Sequence, residues 1–95
     1  MTDFRDVLAR QRFEQGFTDA EGRTRTVHAD YAAQGDTRII LHVEAEPELR
    51  GTGAASAFMR ALAEHARAEG LKLAPRCSYA VVWLKRHPEY DDIAA

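Results

Sequence analysis

Glu48-Leu49-Arg50-Gly51-Thr52-Gly53-Ala54-Ala55-Ser56-Ala57 is the stretch whose residue types could do chemistry most directly. Its glycines and alanines let a ligand come close to the backbone N–H groups. It stands where an apolar run, Arg38 to Glu44, hands over to an amphipathic run, Gly53 to Glu69. The first amides of a helix have no partner within it, and the helix dipole is positive at that end. A strand–loop–helix junction of this kind can cradle a phosphate or pyrophosphate on the amides of Gly51, Thr52, Gly53, Ala54 and Ala55, with Arg50 adding charge. No Gly-Lys-Ser/Thr follows, and three-glycine dinucleotide spacing is absent, so the loop is neither a P-loop nor a Rossmann fingerprint. On these residues alone, an ordinary helix start remains the competing reading.

Three further places carry reactive types. Cys77, the single cysteine, is either an inert core thiol or a nucleophile. With a helix starting near Ser78, its sulfur sits at a helix N-terminus beside Arg76, where dipoles and positive charge favour a thiolate that can attack a thioester. His42 faces away from Ile39, Leu41 and Val43. It is a candidate base toward an amine or toward Cys77, or simply a polar neighbour on a sheet face. Lys85 and Arg86 end the last helix, where cations either meet ligand phosphates or only complement the dipole. His28 and His65 have no motif around them. The four histidines and one cysteine match no metal-ligand spacing, and no nucleophile elbow is present.

The elements that must position these residues follow from periodicity. Arg12 to Phe17 reads as a strand, and Thr18 to Gly22 as a turn. Thr24 to Ala32 alternates, with Val27, Ala29 and Tyr31 on one face and Thr26, His28 and Asp30 on the other. Gln34-Gly35-Asp36 closes a second hairpin. Thr37 to Ala45 is nearly continuous in apolar residues, which predicts a central strand covered on both faces. Pro47 stops its pairing. The helix from Gly53 to Glu69 places Ala55, Phe58, Met59, Leu62 and Ala66 on one stripe, with Ser56, Arg60, Glu64 and Arg67 opposite. Gly70 ends it. Leu71 to Ala74 returns as a strand parallel to Thr37–Ala45. Ser78 to Arg86 reads as a short helix buried through Tyr79, Val82 and Trp83, with a strand as the alternative. Residues 1–10 read as one helical turn or a loose lead-in, and 91–95 as a tail. The layout is α+β, β-β-β-α-β-α, with an antiparallel meander opening into a parallel pair.

The 95 residues suit one domain, 1–95, with 45% hydrophobic and 29% charged residues. A net charge of −2 without clustered basic residues argues against nucleic acid or an anionic membrane as partner. No membrane span or signal-peptide core is present, and the lone cysteine fits a reducing compartment, so a cytoplasmic location is expected. Sheet edges leave a homodimer open.

Three ordered segments then resemble one family. They are Glu48-Leu49-Arg50-Gly51-Thr52-Gly53-Ala54-Ala55, Ala68-Glu69-Gly70-Leu71-Lys72-Leu73-Ala74-Pro75-Arg76-Cys77, and Leu84-Lys85-Arg86-His87-Pro88-Glu89-Tyr90. In order and spacing, over roughly residues 24 to 91, the chain is similar to the small single-domain GNAT-like N-acetyltransferases. Arg50-x-x-Gly53-x-Ala55 fits their superfamily's acyl-CoA motif. Ser78 and Tyr79 depart from the Pro-aromatic pair that usually follows the cysteine. Glu44 to Leu49 departs from the usual Val-Pro-Pro-Glu-Leu. The resemblance implies a minimal GNAT-like fold, acetyl-CoA as co-substrate, an amine acceptor of unidentified kind, and no metal. It also implies a cysteine near the acetyl group at Cys77, and His42 falls where the family often has Thr-His. Residues 44–46 (Glu44, Ala45, Glu46) would offer splayed backbone to the pantetheine arm. Arg50 to Ala55, with Lys85 and Arg86, would meet the phosphates. A CoA-binding or protein-interaction module without catalysis is the alternative.

Overall fold

The computed structural model describes residues 4–95. Strands β1 (Arg5–Val7), β2 (Arg12–Thr18), β3 (Thr24–Gln34), β4 (Thr37–Ala45) and β5 (Lys72–Pro75) form one sheet in chain order. The first four meet antiparallel, and β5 joins β4 in parallel after the crossover helix α1 (Ala54–Glu69). Helix α2 (Ser78–Lys85) follows, and 3-10 turns lie at Leu8–Arg10, Pro47–Leu49 and Pro88–Ile93. The α+β architecture, a meander opening into a parallel pair, is the one expected from the sequence.

Alternation explains the layers. Phe13, Val27, Ala29 and Tyr31 point inward to α1, while Arg12, Glu14, His28 and Asp30 lie on the opposite face. From α1, Ala54, Phe58, Met59, Leu62, Ala63 and Ala66 close onto them. Each large side chain so buried contributes about 1.5–3 kcal/mol. His65 stacks among Phe4 and Phe13 with centroids 5.1 and 5.7 Å away, a packing role. Gly70 ends α1 at φ +69°, where the Leu71 amide reaches Ala66 O at 2.8 Å.

Four expectations are corrected. β4 is covered on one face only: Leu41 is 50% exposed. Asp30 faces His42 while Tyr31 faces Ile40, so Leu41 is the extra residue of a bulge, and both Ile40 and Val43 turn inward. The lead-in is partly a strand, since β1 pairs with β2 and Phe4 stacks on Phe13; Met1 to Asp3 of it lie outside the described residues. In α2 the buried residues are Ala80, Trp83 and Leu84, whereas Tyr79 and Val82 are exposed. The tail is docked: Ile93 is buried, Arg67 bonds both Asp92 carboxylate oxygens, and Ala95 N–H reaches Leu73 O at 2.9 Å.

Candidate functional site

Parallel pairing of β4 with β5 ends at Ile40 opposite Pro75. Beyond that point the two chains separate. Ile40 O accepts the amides of both Arg76 (2.9 Å) and Cys77 (3.1 Å), which turns the chain off the sheet and into α2. The rest of β4 then has β3 on one side only. Glu46 N–H points to that side, bonding Thr26 O at 3.1 Å. By the alternation of an antiparallel ladder, Val43 and Ala45 therefore turn their N–H and C=O groups to the open side. Of the three positions expected to offer backbone, Ala45 faces the open side, whereas Glu44 faces β3 and Glu46 gives its N–H to Thr26 O and its carbonyl to the Leu49 amide at 2.9 Å. Val43 was missed because the bulge that sets this phase has no sequence signature.

The open edge leads to a groove of about 330 Å³, lined by Ala45, Glu46, Pro47, Leu49, Arg50, Gly51, Gly53, Ala54, Ala55, Ser56 and Tyr79. Its floor is the start of α1. Gly53 caps the helix at φ +81° with no side-chain cap, a conformation a Cβ would strain. Thr52 Oγ1 donates to Leu49 O at 2.6 Å and accepts the Ala54 amide at 3.2 Å, which secures the loop. Ala57 N–H closes the first helical bond on Gly53 O at 3.0 Å. The amides of Gly53, Ala55 and Ser56 have no intrahelical acceptor. Arg50 is exposed, and no carboxylate among the described residues pairs with it. Uncapped amides, the dipole and an unpaired guanidinium converge here, and together they can hold an anion.

Cys77 is the N-cap of α2, half-buried, with extended backbone and its carbonyl on the Val81 amide at 3.0 Å. It marks the point where β4 and β5 part. His42 lies two residues past that point on the outer sheet face, exposed. Its Nε2 is 3.0 Å from Glu44 Oε1. A carboxylate only accepts, so Nε2 carries the proton, and in the neutral ring Nδ1 keeps the lone pair. The bond to His42, and then the nearby His28, hold the Glu44 carboxyl below its usual range. No hydrogen bond joins His42 to Cys77 among the described residues.

Lys85 and Arg86 stand exposed at the far end of α2 and do not line the groove. Tyr90 is buried, its hydroxyl donating to Glu64 Oε2 at 2.7 Å and accepting from Arg60 Nη1 at 3.1 Å. Ser56 and Tyr79 are groove residues that sequence reasoning did not single out. Tyr79 had the wrong face of α2 assigned to it.

A family model described as GCN5-related N-acetyl-transferase matches residues 12–93. Among solved structures, the NMR solution structure of a GCN5-like protein from Staphylococcus aureus aligns with a TM-score of 0.68 at 24% identity, covering 99% of this chain and 88% of that one. That likeness speaks for the fold. No curated protein sequence matches.

Proposed function

The chain belongs to the GCN5-related N-acetyltransferase family, and on that premise we propose that the groove binds acetyl-CoA and that the protein transfers the acetyl group to an amine. The observation that carries this reading is the convergence of the open β4 edge with the uncapped start of α1 in one groove.

Acetyl-CoA supplies an activated thioester. The amides of Gly53, Ala55 and Ser56, with Arg50, receive its diphosphate, and Gly51, Thr52 and Ala54 shape the loop that presents them. Val43 and Ala45 pair with the two amides of the pantetheine arm as a strand would. From Ala45 back to Leu41 the strand runs about 13 Å, and this leads the arm from the loop to the separation point at Cys77. Lys85 and Arg86 draw the anionic ligand in by their field rather than by contact.

At the separation point Cys77 Sγ attacks the thioester carbonyl. Cys77 enters as the thiolate that the second step regenerates; the new S–C bond forms as the bond to the CoA sulfur breaks, and CoA leaves as a thiolate that takes its proton from solvent. The acceptor amine then attacks the acetyl-cysteine, Cys77 leaves as thiolate, and the ammonium proton passes to His42 Nδ1 and on to solvent. Intact-protein mass spectrometry after incubation with acetyl-CoA tests this. One added acetyl group in wild type, absent in Cys77→Ala, supports the route. Full transfer to an amine by Cys77→Ala assigns direct attack instead, and binding without any transfer assigns a CoA-binding module.

A further inference from the structure

Carboxylates flank the groove. Glu46 lines it, and Glu48 sits in the turn between Pro47 and Leu49, which line it too. Left alone, both would repel a ligand that carries phosphates. One guanidinium outside the groove faces the two of them. Arg25 Nη1 lies 3.8 Å from Glu46 Oε1 and 3.5 Å from Glu48 Oε2. Its Nε donates to Asp19 Oδ2 at 2.9 Å, and Asp19 is buried, with Oδ1 accepting the amides of Glu21 (2.8 Å) and Arg23 (2.9 Å). Arg25 is thus fixed from behind by the β2–β3 turn and aimed at the Pro47–Leu49 turn. Glu46 is fixed as well, since Oε2 accepts the Thr26 amide at 2.6 Å. Without Arg25, the carboxylates of Asp19, Glu46 and Glu48 would have no cation paired with them among the described residues.

We propose that Arg25 is a positioning and charge-balancing residue for the groove, neutralising Glu46 and Glu48 so that a phosphate-bearing ligand can enter, without itself touching that ligand. The inference rests on the reading that CoA binds in this groove. It gives a turn far in sequence from Arg50 control over affinity.

The test is calorimetric titration of CoA into wild type, Arg25→Met, Arg25→Lys, Glu48→Gln, and Arg25→Met combined with Glu46→Gln and Glu48→Gln, with thermal unfolding recorded alongside. At low salt Arg25→Met should weaken binding about five- to twenty-fold, shrinking below about two-fold near ~0.5 M salt. Arg25→Lys should fall between, and the triple variant should regain wild-type affinity, which a purely structural role for Arg25 does not predict. Glu48→Gln alone, which keeps the Asp19–Arg25 bond, should tighten binding about two- to five-fold. Unchanged affinity in both Arg25→Met and Glu48→Gln, or a folded triple variant as weak as Arg25→Met, overturns the proposal. Failure of wild type to bind CoA overturns the groove reading beneath it, and shows before any variant is measured.

Discussion

Trp83 donates its indole N–H to Ser56 Oγ at 2.9 Å, so the second helix is tied to the first turn of the helix that floors the groove. The indole is buried and stacks on His87 with centroids 3.8 Å apart, while Ser56 is exposed. The two partners therefore respond differently to loss of the bond. Ser56→Ala strands a donor inside the protein and should cost about 1–3 kcal/mol in urea unfolding. Ser78, the other serine of the chain and also exposed, should cost less when changed to alanine.

Gly53 is the loop residue whose backbone conformation matters most. At φ +81°, with nothing within 4 Å of an added Cβ, Gly53→Ala meets backbone strain rather than a clash. The expected cost is about 1–2 kcal/mol of stability. CoA affinity should fall by more than that strain alone accounts for, because the uncapped amides would shift with the loop. Paired unfolding and CoA titrations separate the two effects.

Asp19, with Glu44 and Asp92, contributes to the acid limb of stability. Its carboxyl is held below the usual range, chiefly by the Arg25 hydrogen bond and then by the Arg23 amide. A depressed folded pKa adds stability above the unfolded pKa and loses it as pH falls through the folded value. Urea midpoints should decline on acidification below about pH 4, and Asp19→Asn should flatten that decline while lowering the neutral-pH midpoint.

Tyr31 acts at the opposite limb. Burial, followed by the hydroxyl's 2.6 Å bond to Asp6, pushes its phenol up to about 12. A raised folded pKa gives stability that is complete below the unfolded value near 10 and is lost as pH rises toward 12. Burial raises Tyr79 and Tyr90 as well, so in a spectrophotometric titration all three tyrosines should ionise late, and Tyr31→Phe should remove one tyrosine's share of that late amplitude.

If the proposed transfer holds, His42→Gln should lower kcat by about 10²-fold with little change in the acetyl-CoA KM, since that route gives Nδ1 a proton to handle and no contact with acetyl-CoA. Glu44→Gln should reduce kcat less, because it weakens only the preference for the Nε2–H tautomer. Steady-state kinetics with a fixed amine acceptor read both.

Much of this architecture was legible because Val27, Ala29 and Tyr31 alternate cleanly and Phe58, Met59, Leu62 and Ala66 recur at helical spacing. The loop at Arg50–Ala55 was legible for the same reason, as a junction between two periodicities. The bulge at Leu41 was not, since a continuous apolar run hides an added residue. In α2, Tyr79, Val82 and Trp83 share a face as readily as Ala80, Trp83 and Leu84 do. Trp83 belongs to both sets, so the choice between them falls to the packing of Ala80 and Leu84 in the core, which is tertiary. Residues 91–95 read as a tail, yet Ile93 is buried and Asp92 pairs with Arg67.

The most direct test of the groove is titration of CoA into the ¹⁵N-labelled protein, followed by backbone amide shifts. Saturable shifts centred on Val43, Ala45, Gly53, Ala55 and Ser56, lost in Arg50→Ala, are the predicted result. An unperturbed spectrum, or shifts confined to the far end of α2, would contradict it.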